Sequence, residues 1–142
     1  MSMSLEIQLE PGYLKVVATG EFSLAEAERT FLEMLKAVGL HQSKKVLFDG
    51  RKLTGEPATF ERFFFGEFAA RSVADFVAEG GSPALQFAYV LREPVLDPAR
   101  FGETVAANRG MNVKAFDNPA QALHWLGMVP AKETDVGEVQ RR

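Results

Sequence analysis

Five of the chain's twelve phenylalanines, Phe60, Phe63, Phe64, Phe65 and Phe68, fall within nine consecutive residues, and one core face cannot take them all. The segment follows a loop, Gly55-Glu56-Pro57-Ala58-Thr59, and its spacing predicts a helix to about Glu79. At about 100° per residue, Phe65, Ala69, Val73, Phe76 and Val77 share one side, with Phe63 and Ala70 on its flank. Phe60, Phe64 and Phe68 project roughly opposite, among Glu61, Glu67, Arg71 and Asp75. A surface helix normally carries one apolar stripe. This one carries two, so the second must be covered by another part of the fold, a partner chain or a ligand.

The rest of the chain reads as strands and helices in alternation. Leu5, Ile7 and Leu9 alternate with Glu6, Gln8 and Glu10, Pro11-Gly12 turns the chain, and Tyr13 to Thr19 repeats the period of two, which predicts a hairpin. Ser23-Leu24-Ala25-Glu26 has the form of a capping box, and Leu24, Ala27, Phe31, Leu35 and Val38 follow at helical spacing to a stop at Gly39. Val46-Leu47-Phe48, ending at Asp49-Gly50, and Leu85 to Leu91 read as strands buried on both faces. Asp97-Pro98 opens a helix that runs to about Arg109, Asn112 to Phe116 is a short strand, and Asn118-Pro119 opens the last helix. The order β-β-α-β-α-β-α-β-α implies an α/β fold with a single mixed sheet, parallel after its first strand, and about four helices. One domain is expected over residues 1–127, followed by a polar tail over 128–142.

Composition narrows the function. A net charge of −3 and a pI near 5.4 argue against a nucleic-acid surface. No apolar run approaches the roughly 18 residues of a membrane span. The absence of cysteine excludes disulfides, thiol catalysis and thiolate metal sites, and with no signal-peptide pattern at the amino terminus it leads us to expect a cytoplasmic protein. His41 and His124 stand in different elements without ligand spacing, so neither a metal nor a cofactor is expected. No phosphate loop, dinucleotide fingerprint or nucleophile elbow is present.

Two stretches carry a family likeness. One is Val46-Leu47-Phe48-Asp49-Gly50-Arg51-Lys52-Leu53-Thr54-Gly55-Glu56, a buried strand, an aspartate and a Thr-Gly-Glu loop feeding a helix. The other runs from Asp97-Pro98-Ala99-Arg100-Phe101 to Gly110-Met111-Asn112-Val113. Over about residues 5–127 the chain resembles the bacterial SpoIIAA-like proteins of the STAS superfamily, the fold of anti-sigma factor antagonists and sulphate-transporter cytoplasmic domains. In the antagonists a kinase phosphorylates a serine of an Asp-Ser-Ser/Thr-Gly-Leu motif where the helix after the third strand begins. The corresponding stretch here, Leu53 to Thr59, lacks the Asp-Ser pair and offers only Thr54 and Thr59. The architecture is also similar to that of CRAL-TRIO lipid carriers, which bury an apolar ligand.

Two sites are expected. Phe60, Phe64 and Phe68, with Arg71 on the same face, form a contact surface suited to a second copy of the chain, unless the long Arg92-to-Asp97 loop covers them. Asp49, Arg51, Thr54, Thr59 and Arg92 lie where a strand's carboxyl edge could hold a small ligand or an anion, although Asp49 and Arg51 also suit a simple ion pair. Arg100 with Glu103, and Arg109 near a helix end, read as structural pairs and dipole partners. The expectation is a non-catalytic domain that acts through protein contact, another regulatory protein being a further possible partner. The alternative is a carrier or sensor of a small apolar or amphipathic ligand held between the aromatic helix and the sheet's carboxyl edge.

Overall fold

The computed structural model describes residues 2–128. The hairpin forms as expected: β1 (Ser4–Glu10) pairs antiparallel with β2 (Tyr13–Glu21). There follow α1 (Leu24–His41), β3 (Lys45–Thr54), α2 (Thr59–Ala78), β4 (Gln86–Val90), α3 (Phe101–Asn108), β5 (Val113–Phe116) and α4 (Pro119–Trp125). The strands lie in the order β1-β2-β3-β4-β5, and every pairing after the first is parallel. Each crossover therefore steps one strand in the same direction. The right-handed rule then puts α1, α2 and α3 on one face of the sheet. The expected tail lies, from residue 129, outside the described residues. No helix among the described residues is long and apolar enough to cross a membrane.

Alternation along the strands serves both faces. Val46, Phe48 and Phe87 point into the core under the three helices, whereas Leu47, Ala88 and Val90 meet Ala122 and Leu126 of α4 on the other side. This explains why Val46-Leu47-Phe48 is apolar throughout. The last turn of α4 is tied to the strands by its carbonyls: the Gln86 amide donates to Trp125 O at 3.0 Å, and the Lys45 amine donates to Leu126 O. Phe31 of α1 joins the layers on the crowded face. Its ring meets Phe65 and Phe68 of α2 edge-on at 5.9 and 6.4 Å and lies tilted against Phe87 of β4 at 6.1 Å.

Three local expectations are corrected. β3 does not end at Asp49-Gly50 but runs on to Thr54, because β2 extends beside it. Val17 pairs with Asp49 and Thr19 with Lys52, so β3 carries one extra residue, and this bulge turns Leu53 towards the core. α1 continues through Gly39 to His41, since Gly39 lies against the Phe76 ring, where a Cβ would stand 3.3 Å from Cε1. α3 starts at Phe101 rather than Pro98. Asp97 accepts from the N–H groups of Ala99 (3.1 Å) and Phe101 (2.9 Å), and so closes a turn ahead of the helix, with Arg100 left-handed at φ 56°.

On the crowded face α2 and α3 approach closely at Gly66. A Cβ on Gly66 would stand 2.7 Å from Gly102 O and 3.2 Å from Val105. Alanine is the better helix former by about 1 kcal/mol, but here it meets backbone that cannot swing aside. Gly66→Ala is expected to lower stability by about 1–2 kcal/mol in urea unfolding, and a neutral or stabilising result contradicts this packing.

Candidate functional site

The buried side of α2 faces three neighbours. Phe65, Ala69 and Ala70 enter the core, Phe68 leans to α1, and Gly66 meets α3. Phe63 stacks on Phe101 at 6.4 Å between centroids, and the Arg109 guanidinium lies 5.4 Å from the Phe63 centroid. Arg109 also reaches Glu67 at 3.5 Å, so it serves as a helix-end cation and an inter-helix link.

The helix's amino-terminal end carries the uncovered aromatics. Phe60 is 61% exposed and Phe64 47%, and their rings pack edge-to-face on each other at 6.4 Å. The Arg92-to-Asp97 loop does not cover them. It docks beside Arg62, whose guanidinium donates to Val95 O at 2.8 Å and Pro94 O at 2.7 Å, and buries Val95 and Leu96. Arg71 is exposed farther along.

Phe68 is corrected: it is half-buried and packs on Phe31, so it leaves the exposed row. The reason is geometric. Each i to i+4 step rotates about 40° around a 3.6-residue helix, so a row that begins in solvent at Phe60 reaches the core's edge by Phe68.

The expected ligand ring around Asp49 is not assembled. With β3 extended, Asp49 sits within the strand, and alternation turns it to the sheet face away from α1, α2 and α3. There it is held by Arg51: Nε to Oδ1 is 3.0 Å, Nη2 to Oδ2 is 2.8 Å, and Arg51 N–H donates to Oδ1 at 3.2 Å. The Arg51 side-chain bonds hold the carboxyl below the usual carboxylate range against partial burial, aided by that N–H and by the nearby charges of Arg51 and Lys15. Thr54 donates to Gly20 O at 3.4 Å, Thr59 is exposed as the first residue of α2, and Arg92 is exposed beyond β4. No hydrogen bond or ion pair among the described residues joins them to Asp49. At the start of α2 the Glu61 carboxylate accepts from Ala58 N–H at 2.8 Å, which puts a negative charge where an anion would dock. His41 and His124 are both exposed.

A feature with a weaker sequence signal lies between the helices and the sheet. An apolar cavity of about 150 Å³ is walled by Phe31, Phe48, Phe65 and Tyr89. It stays open because Ala27, Gly66, Ala69 and Ala106 bring little volume to its walls from α1, α2 and α3. The Tyr89 ring stacks on Phe48 at 4.5 Å, and burial pushes its hydroxyl pKa well up. The signal for this space was the small residues on otherwise apolar helix faces, which a helical wheel scores as ordinary core.

No family model matches this sequence, and no curated protein matches it. Solved structures do match. An anti-sigma factor antagonist from Mycobacterium paratuberculosis aligns with a TM-score of 0.56 over 89% of this chain and 95% of its own, at 14% identity. The anti-sigma factor antagonist SpoIIAA in its unphosphorylated form aligns at 0.55 over 89% and 100%, at 8% identity. The fold is SpoIIAA-like. At such identities the likeness is one of backbone, and the side chains above are this chain's own. In the SpoIIAA-like frame the exposed aromatics stand at the beginning of the helix after the third strand.

The Asp49–Arg51 pair gives a test with a defined sign. A carboxyl whose pKa is depressed by folding adds stability above its unfolded pKa, about 3.9, and loses it as pH falls through the lower folded value. Asp49→Asn is expected to cost roughly 1 kcal/mol at pH 7, a gap that closes progressively below about pH 4. An equal loss at both pH values in denaturant unfolding contradicts the pair's role.

Proposed function

We propose that this chain is a non-catalytic cytoplasmic module that works by protein contact, and that its contact surface is the aromatic end of α2, paired with the same surface on a second copy. One observation carries the reading: Phe60 and Phe64 are 61% and 47% exposed on the outer face of α2, where Phe64 meets the edges of Phe60 and Phe63 and leaves much of its own ring open. Aromatic side chains so placed are favoured interface anchors. Two solved proteins of this fold are anti-sigma factor antagonists, a name that describes action against another protein. The charged groups nearest the candidate sites are engaged structurally, Asp49 with Arg51, Asp97 with backbone amides and Arg109 with Glu67, which supports a role without catalysis. The cysteine-free composition suits a reducing compartment.

An antiparallel pair of α2 helices is self-complementary. With a twofold axis crossing the outer face of α2 midway between Phe64 and Phe68, Phe64 of one copy lies beside Phe68 of the other, and Arg71 faces Glu61. The gain is modest, because Phe68 belongs largely to the core. Two half-exposed rings on each chain supply about 3–6 kcal/mol before association costs, which limits any pairing to a weak, reversible one. Sedimentation velocity from about 10 µM to 1 mM is expected to show a concentration-dependent dimer, abolished by Phe64→Asp with no loss of fold stability. A wild-type monomer throughout, or an unchanged dimer in the variant, contradicts the proposal.

A further inference from the structure

The cavity between the sheet and helices α1, α2 and α3 lies apart from the contact surface, and its walls specify what would fit. Its volume, about 150 Å³, is that of a core void known to admit benzene-sized molecules, so the occupant is compact rather than a long acyl chain. The rings of Phe31, Phe48 and Phe65 make it apolar. The charged side chains at its edge are already satisfied. Arg62 is bound to the carbonyls of Pro94 and Val95, Asp97 to two backbone amides, and Arg100 to Glu103 and the Ala115 carbonyl. With these charges engaged, nothing in the wall favours an ionised ligand.

The two wall hydroxyls differ. Thr30 donates to Glu26 O at 2.9 Å. Tyr89 lines the cavity, is partly buried, and has no hydrogen-bond partner among the described residues. A phenol so placed retains an unused donor, which a ligand oxygen can satisfy. We infer that this cavity is a binding site for a small, neutral, mainly aromatic molecule carrying one hydrogen-bond acceptor, with Tyr89 as its polar partner and Phe31, Phe48 and Phe65 as its apolar walls.

Acetophenone and cumene are suitable probes, similar in size, with cumene carrying a methyl group where acetophenone has its carbonyl oxygen. Titration of the full chain followed by NMR at the Ala69 and Ala106 methyls, with calorimetry for affinity, is expected to show both binding and acetophenone several-fold tighter. Tyr89→Phe is expected to remove that preference while leaving cumene binding intact. Ala69→Leu fills the space and is expected to abolish binding of both while leaving the protein folded; should it not fold, Ala106→Leu serves the same purpose from α3. Phe64→Asp is expected to leave both affinities unchanged, which separates this site from the contact surface. Failure of the wild type to bind either probe up to its solubility, or binding unaffected by the filling substitution, overturns the site. Equal affinity for the two probes overturns the role of Tyr89.

Discussion

The strands of this sheet lie in chain order, and that constraint shapes everything above it. Three successive right-handed crossovers in one direction place three helices side by side on a single face. The middle helix, α2, must fit between its neighbours as well as on the sheet, and its residues record this. It meets α3 through Gly66, α1 through Phe68, and the end of α1 through Phe76 against Gly39. Close approach at the helix crossings calls for small residues, and where these gather over β3 and β4 they leave the cavity.

Direction around the helix then decides what remains outside. In the first turns of α2, Arg62 clamps the neighbouring loop, Phe63 stacks on Phe101 and Phe65 packs on Phe31, so the inner and flanking sides are taken. Phe60 and Phe64 stand on the outer side of the same turns and stay exposed. An adjacent loop, clamped by Arg62, is occupied in closing the core with Val95 and Leu96.

Much of this was legible in the sequence. Alternation in β1 and β2, the apolar run Val46-Leu47-Phe48 and the Ser23 cap each encode a local rule strongly enough to survive tertiary context; Glu26 N–H donates to Ser23 at 3.2 Å. What was illegible depends on partners distant in sequence. A helical wheel gives the direction of Phe68 but neither the drift of its row nor the reach of its ring to Phe31. The bulge that carries β3 past Asp49 exists because β2 runs alongside, which no window around residue 49 reveals. Asp49 thus forms the ion pair with Arg51 that the sequence suited, on the far face of the sheet, and the space open to a ligand lies beneath α2 rather than at the sheet's edge.

Phe60 and Phe64 stand largely outside the core, and in the proposed contact another chain covers them. Residue-resolved hydroxyl-radical footprinting across a dilution series tests this most directly, because every phenylalanine is read in the same sample. Phe60 and Phe64 are expected to be the most oxidised at low concentration and to gain protection as concentration rises, while Phe31 and Phe87, buried throughout, stay constant. Phe60 and Phe64 protected even at the lowest concentration, or equally reactive at every concentration, would contradict it.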